Sequence, residues 1–253
     1  MRNALPLRDN LNQAINLKAL PDLAVWLDAP DISNLTFSST KIDTIKNKGN
    51  KALGNFTQGT DAQRALYVRD GIKGMPSLQG RHDGSNASYY GLADAAALDY
   101  TTFHMFIVMQ RAVDMGATET VVCKMSSFNS ENEIRLLVTG GDTIQMAGTS
   151  GGTGGGTGVA ATSSSLALGE AAIIEAFYDG TNLYVRKANG SFASVALASI
   201  YQGTANFGIF AFNASGEPSG VHMGELLFFT RMQNDYTRKR IRDRLKVKWR
   251  LPC

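Results

Sequence analysis

The sequence is poor in cysteine and proline, and each scarcity excludes a class of protein. Two cysteines, Cys123 and Cys253, among 253 residues do not make a disulfide scaffold. Neither has the CxxC or Cys/His spacing that binds zinc, so we expect Cys123 to be a buried apolar residue and Cys253 to be free. Six prolines against 26 glycines exclude a proline-rich linker and indicate many tight turns.

Long hydrophobic runs are also missing. No run approaches the ~18 apolar residues of a membrane-spanning helix, and the N-terminal stretch lacks the apolar core of a secretion signal. We therefore expect a protein made in the cytoplasm, without membrane contact. The glycine tract Gly148–Gly158 has no Gly-Lys-Ser/Thr that would bind a phosphate, so we interpret it as a surface loop, either passive or ligand-binding.

Positive charge is concentrated at the C-terminus. The net charge is only +3, yet Arg231–Arg250 contains nine basic and two acidic residues. Within it, Ile241, Leu245 and Trp249 recur at the i, i+4 and i+8 spacing of one helical stripe. The pattern predicts a helix over residues 235–251 that packs through this stripe and ends at Pro252.

The basic residues of this helix allow two interpretations. In the first, they form a solvated face of a helix packed on its own domain. In the second, Arg238, Arg242 and Lys246 contact a partner. A basic run without interleaved aromatic residues is poor evidence for nucleic-acid recognition, so an acidic protein surface is the preferred partner.

The remaining chain has the pattern of a large β domain. Its clearest part is Ala171–Val195, where two apolar runs flank Asp179-Gly180, a strong hairpin signal because glycine tolerates the positive φ of such turns. Thr102–Arg111 is the most apolar run and is predicted to be a central strand. Further strands are predicted at Leu23–Ala29, Leu35–Phe37, Lys41–Ile45, Met75–Asp83, Ser88–Leu92, Thr120–Met125, Glu133–Thr139, Thr143–Ala147, Asn206–Asn213 and Val221–Thr230.

The N-terminus is predicted to be a separate arm, Met1–Pro21. Leu11, Ile15 and Ala19 are spaced by four residues, which indicates a short helix over Asp9–Leu20. Such an arm either lies on the surface of its own domain or docks onto a partner through Leu11 and Ile15.

Four motifs in order resemble a known family. They are WLDA at Trp26–Ala29, the GxxGxPSLxxxxDGSxxxY pattern from Gly71 to Tyr89, YDGTNLYV at Tyr178–Val185, and MGELLFF before the basic helix. Together they are similar to the concanavalin A-like lectin/glucanase superfamily in its laminin G-like form, as found in bacteriophage structural proteins. The resemblance implies an all-β fold, an antiparallel two-sheet jelly-roll sandwich, over residues 22–253.

The resemblance supports three functional hypotheses. The first is a non-enzymatic structural or adhesion subunit of a bacteriophage virion, from its tail, baseplate, fibre or head decoration. It would be homo-oligomeric, contact other virion proteins and could bind a host-surface glycan through its loops. The second is a glycan-binding module of a bacterial surface or secreted protein. Aromatic rings and polar side chains bind sugars, and Asp83, Asn86, Tyr89 and Tyr90 supply both; otherwise the tyrosines pack within the sheet and the polar pair forms a turn.

The third hypothesis is a glycoside hydrolase. Such enzymes place two carboxylates on one face, and Glu131 and Glu133 share a face if they lie in a strand, although Ser130-Glu131-Asn132 is typical of a turn. His82, His104 and His222 lie in strand-like segments without a nucleophile motif. We therefore expect no catalysis and no cofactor. Laminin G-like relatives often hold calcium, but no calcium-loop motif identifies its ligands here.

Overall fold

A computed structural model describes residues 15–82, 86–127, 130–152, 158–187, 190–213 and 216–252. This part of the chain is an antiparallel β structure with one α-helix near the C-terminus, which confirms the predicted all-β class. The strands are β1 Leu23–Asp28, β2 Leu35–Ser38, β3 Lys41–Ile45, β4 Phe56–Thr57, β5 Leu66–Ile72, β6 Met75–Gln79, β7 Tyr90–Leu92, β8 Phe103–Arg111, β9 Glu119–Ser127, β10 Ser130–Val138, β11 Thr143–Thr149, β12 Gly158–Ser165, β13 Ala171–Tyr178, β14 Asn182–Lys187, β15 Ala193–Ala196, β16 Phe207–Ile209 and β17 Val221–Phe229, followed by helix α1 Asp235–Trp249.

Two runs of hydrogen-bonded strands make up the sheet. One runs β15-β14-β13-β8-β17-β1, and the other runs β12-β11-β10-β9-β16-β7-β4-β3-β2. β5 and β6 join them, because β5 pairs with β3 and β6 pairs with β17. The strands therefore form one continuous, nearly closed sheet. They are not clearly divided into the two separate sheets that the sequence motifs implied.

The central strand β8 is apolar on both faces because both faces are covered. Met105 and Ile107 point into the main core between the two runs. Phe106 and Val108 belong to a second cluster that includes the apolar stripe of α1. Burial of apolar area on both sides is the main favourable term for such a strand.

Helix α1 packs as its sequence predicted, but it ends at Trp249 instead of residue 251, because Arg250 adopts a left-handed conformation with φ +53°. Asn234 accepts a hydrogen bond from the Thr237 amide and caps the first turn, and the buried Ile241, Leu245 and Trp249 face the sheet. The close approach depends on Gly224 of β17, because a Cβ atom there would lie 2.5 Å from the Trp249 indole ring.

The hairpin between β13 and β14 also agrees with the prediction. Gly180 has φ +104°, which glycine adopts without steric cost. The Asp179 carboxylate accepts hydrogen bonds from the Thr181 and Asn182 amides at 2.8 Å. Tyr178 therefore pairs with Leu183 at the first register position.

Other expectations are corrected. β4, β5 and β12 lie in segments for which no strand was predicted, and β10 begins at Ser130, where a turn was expected. Of the predicted N-terminal helix, the part before residue 15 lies outside the described residues, and the rest contains only the 3-10 turn Leu17–Ala19. Cys123 is buried and free, as predicted, whereas Cys253 lies outside the described part. No helix in the described ranges is long and apolar enough to cross a membrane.

Candidate functional site

A cleft of about 330 Å³ opens beside the start of β8. Five segments that are distant in sequence line it: the residue before β1, the β3–β4 connection, the turn before β8, the segment before β16 and the end of β17. Its walls are Asp22, Lys51, Ala96, Ala97, Asp99, Tyr100, Thr101, Gln202, Thr230 and Arg231. The lining therefore combines carboxylates, hydroxyls, an amide and cations with apolar surface.

Gln202 fixes one wall of this cleft. Its side-chain amide donates to the Tyr100 carbonyl at 2.7 Å and accepts from the Tyr100 amide at 3.2 Å. This two-point contact holds the backbone that carries Asp99 and Thr101. On another wall, Asp22 pairs with Lys51 at 3.1 Å and with Arg231 at 3.8 Å, and the Arg231 side chain keeps 77% of its surface exposed.

A buried group of charged residues lies close to Tyr100. It consists of Lys124, Glu133, Asp94 and Asp99, and we call it the Lys124 cluster. The Lys124 ammonium is fully buried and lies 2.7 Å from Glu133, 3.0 Å from Asp94 and 3.9 Å from Asp99. It also donates to the Gly203 carbonyl at 3.3 Å. One cation thus holds together β9, β10, the turn before β8 and the segment before β16.

The protonation of this cluster is shifted by its burial. Burial raises the pKa of Glu133 to about 7, against the opposing effect of Lys124, so the side chain titrates near neutral pH. Burial and the neighbouring Glu133 raise the pKa of Tyr100 well above its usual value. Neither Glu133 Oε2 nor the Tyr100 hydroxyl meets a partner of good hydrogen-bond geometry within the described residues. Such atoms are typically satisfied by water or by a ligand.

The residues predicted to bind a glycan are not brought together as an exposed platform. Tyr90 is fully buried; its hydroxyl donates to the Ile42 carbonyl at 2.6 Å and accepts from the Ala65 amide at 2.9 Å. The ring of Tyr89 is half-buried against the backbone of β7 and β16. Asn86 is half-buried, and Asp83 lies outside the described residues.

The predicted docking residues have contacts within the chain. Ile15 packs against the apolar cluster under α1, whereas Leu11 lies outside the described part. Arg238 and Arg242 bind the buried Glu175, so they are not a fully solvated face. Lys246 is partly exposed. A role for these residues toward a partner stays a prediction.

The groups considered for catalysis lie in different surroundings. Glu133 belongs to the Lys124 cluster, and the side chain of Glu131 lies outside the described part. His104 is buried, His222 is half-buried and His82 is exposed. Within the described ranges, no group of three His, Cys, Asp or Glu residues could hold a metal ion, so the calcium ligands stay unassigned.

Sequence reasoning missed the Lys124 cluster and the cleft. The one local signal was a lysine inside the apolar run Val121–Met125, because a buried ammonium needs carboxylate partners. Those partners come from β10 and from the turn before β8, and their proximity depends on the fold rather than on sequence spacing.

No family model matches the chain, and no curated protein matches its sequence. Solved structures do match its fold. The binding domain of Paraclostridial mosquitocidal protein 1 matches with a TM-score of 0.61 and 10% identity over 87% of this chain and 52% of that one. Trypanosoma rangeli sialidase matches with a TM-score of 0.58 and 11% identity over 91% of this chain and 33% of that one.

The binding domain of botulinum neurotoxin DC, in complex with SialylT, matches with a TM-score of 0.53 and 9% identity. It covers 82% of this chain and 51% of the neurotoxin chain. This chain therefore spans about a third to a half of the length of these three structures. At these identities the likeness shows the fold alone, which is consistent with the lectin/glucanase-like resemblance of the sequence motifs. None of the three structures is described as a bacteriophage structural protein.

Proposed function

We propose that the protein is a glycan-binding module and that its ligand occupies the cleft beside β8. The observation that carries this proposal is the chemistry of the walls. Asp99, Thr101, Lys51 and Arg231 all line it, so carboxylate, hydroxyl and cationic groups meet in one cleft. Sugar hydroxyls both donate and accept hydrogen bonds, so they need such mixed surroundings.

The size of the cleft agrees with a small glycan. Its volume of about 330 Å³ is at the lower end of the ~300–1,000 Å³ typical of small-molecule sites, which suits a mono- or disaccharide. The exposed guanidinium of Arg231 favours an acidic sugar, because arginine pairs well with carboxylates. The neurotoxin domain, which has a similar fold, was solved in complex with SialylT, and this supports a glycan as the ligand.

The same site favours binding over hydrolysis. Glu133 has the raised pKa of a general acid, but it is fully buried and Lys124 holds one of its oxygens at 2.7 Å. A general acid must reach the leaving-group oxygen, and Glu133 is not among the residues that line the cleft. We therefore propose a non-enzymatic role.

A glycan array with neutral and acidic oligosaccharides, followed by calorimetry on the best ligand, tests the proposal. We expect Asp99→Asn and Arg231→Gln each to weaken binding about tenfold, the usual effect of losing one charge-assisted hydrogen bond. Asp61→Asn is the matched control, because Asp61 is exposed and lies outside the cleft. Equal affinity in Asp99→Asn and wild type would contradict the assigned site, and release of shorter glycans from the bound ligand would contradict the non-enzymatic role.

The virion setting rests on the sequence motifs. We propose it as the context in which a glycan-binding subunit would act, with the two-sheet jelly roll as its scaffold and Met1–Pro21 as the arm that docks onto a neighbouring subunit. Light scattering of the purified protein, together with imaging of particles that contain it, tests this context. A monomer that is absent from particles would overturn it without affecting the glycan proposal.

A further inference from the structure

A group of arginines surrounds one buried carboxylate at the start of α1. Arg186 of β14 and Arg238 and Arg242 of α1 converge on Glu175 of β13, and we call these three residues the arginine cluster. Their guanidinium nitrogens lie 2.6–3.2 Å from the two Glu175 oxygens. The contacts join the helix to the β13–β14 hairpin.

The arginine cluster carries more positive charge than its partners neutralise. Three guanidinium groups face one carboxylate, Glu175, whose side chain has no exposed surface. The only other carboxylate paired with the cluster in the described part of the chain is Asp235, 2.9 Å from Arg238, and its side chain is 97% exposed. Water screens such an exposed charge strongly, so the buried part of the cluster keeps an excess of about two positive charges.

His104 adds a hydrogen-bond donor to this group but no charge. Its Nδ1 accepts the Gln233 amide at 3.3 Å, so the proton is on Nε2, which donates to Glu175 at 3.0 Å. Burial lowers the pKa of His104 to about 4, despite Glu175 and with a further contribution from the arginines. With this imidazole, the Glu175 carboxylate receives six close contacts, more than its ~4 lone-pair sites accommodate.

The arginines also repel one another. Burial lowers the pKa of Arg186 from its usual value, Glu175 opposes that effect, and the neighbouring Arg242 and Arg238 lower it further. Each guanidinium has about five N–H donors, and one saturated carboxylate cannot accept them all. An additional anion would reduce the repulsion and accept the remaining hydrogen bonds.

Aromatic rings hold the guanidinium groups in position. Arg186 lies 4.0 Å over the ring of Phe192, and Arg238 lies 4.7 Å over Phe177 and 5.1 Å over Phe192. Phe177 is buried and Phe192 is half-buried, so the cluster is dry on one side and reaches solvent on the other. The arginine side chains keep between 9% and 17% of their surface exposed, so a small group has better access to them than a large surface does.

We propose that the arginine cluster is a binding site for an oxyanion, a sulfate, phosphate or carboxylate group carried by a ligand. Planar guanidinium groups pair with such groups through two parallel hydrogen bonds. The site is built from β13, β14 and α1 and shares no residue with the cleft beside β8. It therefore does not depend on the proposed glycan site.

The test is a titration of the full-length protein with sodium sulfate, sodium phosphate and sodium glucuronate, against sodium chloride at equal ionic strength. Calorimetry and thermal unfolding provide two readouts. Sulfate stabilises most proteins in proportion to its concentration by exclusion from their surface, whereas a bound anion gives a saturable response. We expect saturable binding. Comparing the affinity for sulfate and phosphate with the affinity for glucuronate shows whether the site prefers a tetrahedral group or a planar carboxylate.

Variants assign the binding to the cluster. Arg242→Gln should weaken anion binding at least tenfold, and Arg242→Lys, which keeps the charge but not the planar geometry, should weaken it less. Lys246→Gln removes the same charge one turn further along α1 and should leave binding unchanged. Arg186→Gln is the second loss variant if Arg242→Gln fails to fold. A response to all three anions that only follows ionic strength, or binding that persists equally in both loss variants, would overturn the proposal.

Discussion

Trp26 and Trp249 donate their indole N–H groups to opposite oxygens of the same carboxylate, Glu225, at 3.0 and 3.1 Å. Trp26 lies in β1 and Trp249 is the last residue of α1. Arg244 and Lys248 of the helix add ion pairs to Glu225 at 2.8 and 2.7 Å. Because these are the two tryptophans of the chain, its intrinsic fluorescence reports directly on the docking of α1.

Glu225→Gln should loosen the helix from the sheet. A glutamine accepts from one indole but presents an N–H₂ group to the other. It also leaves the Arg244 charge without its buried partner, whereas Lys248 keeps its ion pair with Asp28. Removing one member of a buried ion pair costs about 3–5 kcal/mol. We expect the free energy of unfolding in urea to fall by about that amount, with a red shift of the native fluorescence.

Glu170→Gln is the matched control for this substitution. Its ion pair with Lys187 is partly exposed on both sides, so its loss should cost at most about 1 kcal/mol. If the two variants lose the same stability, Glu225 does not anchor the helix.

Gly224→Ala tests the contact between α1 and β17 without changing any charge. The new Cβ would lie 2.5 Å from Cη2 of Trp249, and the ring is buried, so the helix must shift. Overpacking of this kind costs about 1–3 kcal/mol. Gly59→Ala is the control, because no atom lies within 4 Å of its added Cβ. Urea denaturation that gives equal midpoints for both variants would mean that the helix adapts without cost.

Local signals explain which parts of the fold were predictable. The Asp179-Gly180 turn, the apolar strand β8 and the stripe of α1 each depend on residues close in sequence. β12 was missed because most of its residues are exposed or half-buried, so it lacks an apolar period. The continuity of the sheet depends on how β5 and β6 join the two strand runs, which no local pattern encodes.

The functional groups were less predictable, for a related reason. The basic face of α1 looked solvated because its partners, Glu175 and Glu225, lie on strands far away in sequence. Each of these acids interrupts an apolar run, and a buried carboxylate requires a cation. The sequence therefore indicated that both acids need a cationic partner. It did not contain the pairing, which only the docking of α1 onto β13 and β17 creates.

Lys124→Met tests the Lys124 cluster. The substitution keeps much of the side-chain volume but leaves Glu133 and Asp94 without their buried cation, and we expect a loss of about 3–5 kcal/mol at pH 8. Lys41→Met is the control, because the Lys41–Asp61 pair is exposed and should contribute about 1 kcal/mol or less. A loss no larger than that of the control would show that Lys124 does not hold these segments together.

Glu133→Gln tests the protonation of the same cluster. The pKa of Glu133 is raised from 4.5 to about 7 in the folded protein, so between these pH values the folded state holds a proton that the unfolded state has lost. Stability from this group is therefore present below pH 4.5 and is lost as the pH rises through 7. A shift of this size corresponds to roughly 3 kcal/mol.

We expect the stability of the glutamine variant, relative to wild type, to rise by about that amount between pH 4.5 and pH 8, because glutamine cannot ionise. Comparing the glutamine variant with wild type removes the contribution of His104. Its lowered pKa destabilises both proteins equally as the pH falls below 6.5. A difference between the two unfolding curves that stays constant from pH 4.5 to pH 8 would mean that Glu133 is ionised throughout. In that case Lys124 stabilises the carboxylate more strongly than burial opposes it.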